Sequence, residues 1–351
     1  MADPTIAVIA GDGIGQEVVP AAIRCLDRVA ELHGFRLAYR HLDWGSDHYF
    51  RTGAMMPTDG IETLAACDAI FLGAVGHPDL PDTETLWGLL IPIRRQFSQY
   101  VNLRPVRTLA GIAGPLASTT PIDFVIVREN NEGEYSEIGG RLYRGTLDES
   151  AQQTAVFTLR GVQRIATYAA RLAANRGGVL VSATKSNGII HTMPFWDEVV
   201  TRVANSIGVE VDSVLIDALA ARMVLKPESL DVVVASNLFG DILSDLGSAL
   251  TGSIGVAPSA NLNPERQHPS LFEPVHGSAP DIAGLGIANP VGQIWSGALM
   301  LEHLGFGDAA RHLTRAFESV LARGVATRDL GGSATTASFT EAVLDALGQR
   351  G

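Results

Sequence analysis

Residues 231–256 read DVVVASNLFGDILSDLGSALTGSIGV, and this stretch limits the fold more than any other. Asp231 to Ser236 is a short apolar run of the kind that forms a buried strand. Asn237 then offers a helix cap, and Leu238, Ile242, Leu243 and Leu246 recur at helical spacing. On that helix Asp241 and Asp245 stand four residues apart, so both carboxylates leave the same face one turn apart. Left alone, two such anions repel and weaken a helix by roughly a few tenths of a kcal/mol. The ordinary reading of the pair is a solvated acidic face. Here the neighbours are Leu, Phe, Ile and Gly, and no Lys or Arg occurs between Lys226 and Arg266. That context favours a hard, oxygen-liganded cation, Mg²⁺ or Mn²⁺.

The same alternation of strand and helix runs through the chain. Strands are expected at Thr5–Ala10, Ala69–Val75, Leu103–Val106, Phe124–Arg128, Val179–Ala183 and Val211–Ile216, with an extended stretch over Glu149–Arg160. Helices are expected from the first glycine turn to about His33, over Gly161–Ala174, Leu285–Leu304 and Ala309–Ala322, and around Arg94 with Pro92 in its first turn. Pro258–Pro280 shows little periodicity and reads as a long loop. Alternating elements make the chain α/β. After the first strand comes Gly11-Asp12-Gly13-Ile14-Gly15, which tempts a Rossmann assignment. Its third glycine follows the second by two residues, not three, so it reads as a tight strand-to-helix turn.

The 351 residues suffice for a large core in a two-lobed unit, and 46% hydrophobic with 18% charged residues is typical of a soluble globular enzyme. Residues 1–5 show no signal-peptide pattern and no stretch is long and apolar enough to span a bilayer, so a cytoplasmic protein is expected. Cys25 and Cys67 lie in apolar contexts and read as reduced core residues. A net charge of −12 argues against nucleic acid and anionic membrane as partners. Against that background Arg94, Arg95, Arg104, Arg107 and Arg128 fall close together. Lysine occurs only at 185 and 226. Where arginine serves nearly every need for positive charge, a retained lysine invites a chemical reason, because only lysine can be tuned to give up its proton.

Five motifs in order complete the pattern. They are Gly11-Asp12-Gly13-Ile14-Gly15, Arg128-Glu129-Asn130-Asn131-Glu132-Gly133-Glu134-Tyr135, Thr184-Lys185-Ser186-Asn187, Asn237 to Asp245, and Glu273-Pro274-Val275-His276-Gly277-Ser278-Ala279-Pro280-Asp281. Together they resemble, end to end, the β-decarboxylating dehydrogenases, which include isopropylmalate, isocitrate and tartrate/D-malate dehydrogenases. The resemblance implies an isopropylmalate-dehydrogenase-like, non-Rossmann two-domain fold with a central β-sheet. Residues 1–99 and 252–351 would form the first domain and 100–251 the second. It further implies a homodimer whose active site is shared between subunits.

For the site, the resemblance assigns the divalent metal to Asp241, Asp245 and the third ligand Asp217, the last from the partner subunit. Arg94, Arg104 and Arg128 would hold the substrate carboxylates, with Trp87 and Leu90 lining the pocket. Lys185 corresponds to the general base and Tyr135 to the acid that protonates C3. Arg95 and Arg107 fall outside the family positions and read as surface ion pairs. His276, Gly277, Ser278, Ala279 and Asp281 would form the nicotinamide-cofactor loop, with Asn289 near the adenine. Asp281 stands where NAD users place a carboxylate against the ribose hydroxyls. Independently, no Lys or Arg occurs between Arg266 and Arg311, so nothing in this segment would neutralise a 2′-phosphate. NAD is expected, and a monovalent cation such as K⁺ stays open.

Ala10 and Asn131 depart from the family's usual proline and threonine without removing a reacting group. Leu86-Trp87-Gly88 resembles the tartrate/D-malate members, where isopropylmalate dehydrogenases carry a glutamate at the position of Trp87. The expected reaction is oxidative decarboxylation of a small 2-hydroxy dicarboxylate, D-malate to pyruvate first and tartrate second. The alternatives are 3-isopropylmalate dehydrogenase, a metal-dependent phosphate-ester hydrolase and a non-catalytic nucleotide-binding protein.

Overall fold

Residues 3–116 and 120–349 are described by a computed structural model. The strands, in chain order, are Thr5–Gly11 (β1), Ala38–His41 (β2), Ala69–Ala74 (β3), Val101–Arg107 (β4), Asp123–Glu129 (β5), Gly139–Leu142 (β6), Ser150–Gln153 (β7), Leu180–Thr184 (β8), Val211–Leu215 (β9), Val232–Ala235 (β10), Pro258–Leu262 (β11) and Ser270–Pro274 (β12). Those expected from continuous apolar runs lie within two residues of their expected positions. The α/β class and sheet-centred architecture hold.

Two compact units divide the chain. The first takes the described residues of 1–99, 107–119 and 248–351, and the second those of 100–106 and 120–247. Beside the expected division, residues 107–116 and 248–251 lie with the first unit. In the first unit the strand order is β2-β1-β3-β12-β11, all neighbours parallel except the antiparallel pair β11 and β12. In the second the order is β4-β5-β10-β8-β9, with β5, β10, β8 and β9 parallel. β6 and β7 form a separate antiparallel hairpin. β3, β8 and β10 are buried along their whole length, which is why they read as unbroken apolar runs instead of alternating ones.

In the first unit Ala7, Ile9, Ile70, Leu72 and Leu271 from three strands pack with Trp44, Leu64, Leu89, Ile93 and Phe97 from the helical side. The core of the second unit includes Phe124, Ile126, Val162, Ile165, Leu180, Trp196 and Val233, all wholly buried. Both cysteines are free and buried, and burial pushes the Cys25 thiol up to about 12, so it packs and does not react.

The structure differs from the sequence reading at several places. Pro258–Pro280 is not a loop throughout, because β11 and β12 lie within it, paired from Pro258 with Pro274 to Asn261 with Leu271. Their apolar pattern is broken by buried Ser259, Asn261, Ser270 and Glu273, whose polar groups are satisfied across the fold. The helix expected from Leu285 begins only at Val291, after Pro290. A last helix, Thr336–Gly348, lies outside the expected elements, although Thr335 and Ser338 close a capping box at its start. Only Ser150–Gln153 of the stretch Glu149–Arg160 is a strand, and a helix already starts at Leu159, capped by Thr158.

Candidate active site

The second unit brings Tyr135, Asp241 and Asp245 together with Arg128, near the carboxyl end of β5, and with Arg104 of β4. Arg128, next to last in β5, stands opposite Ala235 of β10, and β10 leads through Ser236 into the helix Asn237–Leu250. Gly240 allows that helix to settle on the strand. A Cβ there would stand 2.6 Å from the Cβ of Arg128. Asn237 does not act as the cap expected of it. Its side-chain oxygen accepts from Arg128 Nε at 3.0 Å and Nη2 at 2.7 Å, while the N–H of Leu238 donates to Glu134 Oε2 at 3.0 Å.

Asp241 is where the groups converge. Its Oδ1 accepts from Arg128 Nη1 and, at 3.3 Å, from Arg104 Nη1 of β4, and its Oδ2 accepts from the Tyr135 hydroxyl at 2.9 Å. Asp245 Oδ1 lies 3.5 Å from the same Arg104 nitrogen. The charge that compensates the Asp pair therefore comes from residues far off in sequence, which the lack of nearby Lys and Arg could not reveal. Burial raises the Asp245 carboxyl, against the pull of Arg104 and Arg128. Burial, then the Asp241 carboxylate, also pushes the Tyr135 phenol upward, keeping it protonated and able to donate. The Arg128 guanidinium lies 5.5 Å from the Tyr135 ring centre.

Lys185 and Asp217 follow adjacent parallel strands: β8 ends at Thr184, paired with Leu215, and Asp217 lies in the first turn of the helix Ile216–Leu225. Lys185 Nζ is 2.7 Å from Asp217 Oδ1, and this hydrogen bond is the first cause of the lowered Asp217 carboxyl. Among the described residues no three His, Cys, Asp or Glu of one chain gather into a metal-holding group. Asp241 and Asp245 supply two oxygen donors of the right chemistry for Mg²⁺ or Mn²⁺ on one helix face, with the Asp217 carboxylate at a separate position on the chain.

The first unit holds the remaining residues. Arg94, on the helix Ile91–Gln96, is buried and donates through Nη2 to Glu273 Oε1 at 2.8 Å, which also accepts from Asn261 at 2.8 Å. The sequence reading gives Glu273 no role; its only signal is membership of the last motif. Trp87 and Leu90 lie in a single π-helical turn, Leu86–Leu90, running directly into the Arg94 helix. Such turns are frequent at functional sites. Leu90 packs against the core, whereas Trp87 carries the Arg95 guanidinium 5.0 Å from its ring centre. Arg95 thus has an aromatic partner. Arg107 does pair with Glu318 and also stacks on Trp295.

The glycine turn and the His276 loop are built against each other. Ile14 N donates to Ser278 O at 2.8 Å, and a Cβ on Gly13, whose φ is +52°, would stand 2.0 Å from that oxygen. Ile14 and Val18 pack on Ala279, Ile282, Ala283 and Ala288, fixing the loop from below. Asp12, buried, accepts from Ser46 and from the N–H of Gly76. The segment is a tight strand-to-helix turn, as its spacing suggested, and it also supports the loop. His276 Nδ1 lies 3.0 Å from Gly277 O, while its buried Nε2 has no partner among the described residues. A bound cofactor offering a hydrogen bond would satisfy that atom, so the loop fits a nicotinamide nucleotide. Burial lowers the His276 imidazole, keeping it neutral. Asp281 is exposed, and Asn289 is buried with its amide held by Asp329 and the N–H of Val291.

The model of the family described as isocitrate/isopropylmalate dehydrogenase matches residues 5–343. The chain belongs to that family. Family members generally use NAD(P) and a divalent metal ion, act on small dicarboxylates and are dimeric. The chain is 53% identical to the probable tartrate dehydrogenase/decarboxylase of Bacillus subtilis (strain 168) over 97% of each chain. It is 55% identical to the D-malate dehydrogenase (decarboxylating) of Escherichia coli (strain K12), over 96% of this chain and 97% of that one. The crystal structure of isocitrate dehydrogenase from Methylococcus capsulatus superposes with a TM-score of 0.90 at 32% identity, covering 99% of this chain and all of the other. Membership of this dehydrogenase family leaves no place for the phosphate-ester hydrolase or the non-catalytic binder. Among the described residues no helix is long and apolar enough to cross a membrane.

Proposed function

We propose that this enzyme carries out the NAD- and divalent-metal-dependent oxidative decarboxylation of a small 2-hydroxy dicarboxylate. D-Malate, giving pyruvate and carbon dioxide, is the leading substrate, and tartrate the second. The observation that carries the reading is the convergence of Arg104, Arg128 and Tyr135 on Asp241, with Asp245 one turn away. A hydride acceptor alone would not call for a phenol hydrogen-bonded to a carboxylate between two guanidiniums.

Asp241 and Asp245, with Asp217 of a second copy, would hold the divalent metal, which would supply Lewis-acid polarisation. The side chains do the rest. Arg94, Arg104 and Arg128 bind the two carboxylates through planar donor pairs. Lys185 takes the hydroxyl proton as C2 is oxidised, and a bound nicotinamide would accept the hydride. The C3–CO2 bond then breaks, its electron pair passes into an enolate, and Tyr135 delivers a proton to C3. His276, Gly277, Ser278 and Ala279 would hold the cofactor, with Asn289 on the adenine side and the Asp281 carboxylate available to the ribose hydroxyls.

A second copy of the chain is supported by what the second unit leaves uncovered. The β6–β7 hairpin and its turn expose Ile138, Leu142, Tyr143 and Leu147. A two-stranded hairpin is marginal in water by itself, so this one calls for a covering surface. Ile189 and Ile190, just beyond Lys185, are exposed as well, so the proposed base and third ligand share an apolar surface suited to a homodimer.

A screen of D-malate, tartrate, isopropylmalate and isocitrate, with NAD or NADP and Mg²⁺ or Mn²⁺, tests the reading by absorbance of the reduced cofactor. D-Malate with NAD should give the highest kcat/KM. Higher kcat/KM on isopropylmalate would hand the assignment to that rival, and equal or better use of NADP would overturn the reading of Asp281.

Trp87 sets the substituent tolerated at C3. Its indole, steadied by Arg95, fills space that a larger C3 group needs, leaving room for hydrogen or hydroxyl. Trp87→Ala should move the kcat/KM ratio of 3-alkylmalate to D-malate upward by roughly 10–200-fold, the worth of about one methylene in such a pocket. An unchanged ratio would mean that the ring faces away from substrate.

A further inference from the structure

Besides Tyr135, the segment 129–135 contributes three glutamates, none of which the proposed chemistry uses. Glu129 is wholly buried. Its Oε2 accepts the N–H groups of Asn131 at 2.9 Å and Glu132 at 2.7 Å, folding the segment on itself. Glu132 turns outward to the helix Leu159–Arg176, accepting from Thr158 N and Thr158 Oγ1, both at 2.9 Å. Glu134 turns the other way. Its Oε1 accepts from Ser236 Oγ at 2.7 Å and its Oε2 from the N–H of Leu238 at 3.0 Å, at the first turn of the helix that carries Asp241. Between them Gly133, with φ of +99°, bridges to Val156.

We infer that Glu134 is a positioning residue for the proton delivered by Tyr135: its carboxylate, clamped on the first turn of the Asn237–Leu250 helix, fixes the phenol against Asp241. The inference rests on the role proposed for Tyr135 and deepens it. Geometry carries it. Tyr135 follows Glu134 directly in sequence, and Asp241 lies three residues beyond Leu238, less than one turn along the same helix. The two ends of the 2.9 Å contact from Tyr135 to Asp241 are thus tied by one side chain. A carboxylate suits the task, because it can accept two donors at once and is favoured at the positive end of a helix. A glutamine side chain in its place would keep the length but turn one of the two acceptors into a donor facing Leu238 N–H or Ser236 Oγ. The clamp also replaces the cap that Asn237 does not supply, since that amide oxygen is taken by Arg128.

A double-mutant cycle on the full-length enzyme, assayed with D-malate, NAD and Mn²⁺, separates this role from simple support of the fold. Glu134→Ala should lower kcat by roughly 10–100-fold, the scale of a misplacement of about 1 Å at a reacting group. Its KM should stay within about twofold, since carboxylate binding by the arginines is untouched. Glu134→Gln should lose less, keeping one acceptor. In a Tyr135→Phe background, adding Glu134→Ala should cost less than about twofold more, because the residue acts only through the phenol. Loss of the clamp as mere scaffolding would instead lower kcat by the same factor in both backgrounds, and that result overturns the inference. So does wild-type kcat in both Glu134 variants. If Glu134→Ala fails to fold, Glu134→Gln enters the cycle in its place, with the same two outcomes. Should Tyr135→Phe alone keep wild-type kcat, the proposed role of Tyr135 falls and the inference with it, a result unlike either of the others.

Discussion

Lys185→Arg should cost roughly 10²–10⁴-fold in kcat, the usual range for losing a positioned general base. The substitution keeps the charge and can keep the contact now made to Asp217 at 2.7 Å. What it removes is the ability to give and take a proton, because a guanidinium stays protonated at working pH. Asp217 is exposed and Lys185 half-buried, so the variant should melt close to the wild-type protein, and the loss should belong to turnover. Lys185→Ala should be as inactive and should regain part of its rate when methylamine is added. Near wild-type turnover in Lys185→Arg would remove the base assignment, whatever the substrate proves to be.

Asp241→Asn should lose the metal. Removing a partner that merely orients a ligand costs roughly 10–100-fold in metal affinity, and removing the charge of a ligand itself should cost at least about that much. Asparagine is nearly isosteric and keeps an oxygen that Arg128 and Arg104 can reach, so the fold should survive. Mn²⁺ binding can be read without turnover. Added Mn²⁺ should raise the melting temperature of the wild-type protein, as any ligand selective for the native state does, and should leave that of Asp241→Asn nearly unchanged. In the same samples, chelation should abolish D-malate oxidation and Mn²⁺ should restore it only to wild type. An Asp241→Asn protein stabilised by Mn²⁺ as strongly as its parent would place the metal elsewhere.

The sequence by itself determined the elements whose information is local. Ala69–Ala74 and Val232–Ala235 are apolar throughout because parallel strands covered on both faces have no polar side to show. The Asp241/Asp245 pair is legible from helical spacing alone, and the five motifs in order fix the family. Tertiary structure decided whatever depends on partners distant in sequence. β11 and β12 read as a loop because their polar residues are satisfied by Ser296 and Asn263 and by each other, which periodicity cannot register. The charge balancing Asp241 arrives from Arg104 and Arg128, 137 and 113 residues away. Glu134 reads in the sequence only as one more acid in a motif, and its hold on the Asp241 helix exists because β5 and β10 lie side by side. Helix and strand patterns record which face a residue turns to the core. A hydrogen bond between side chains depends instead on where two backbones end, and folding alone sets that.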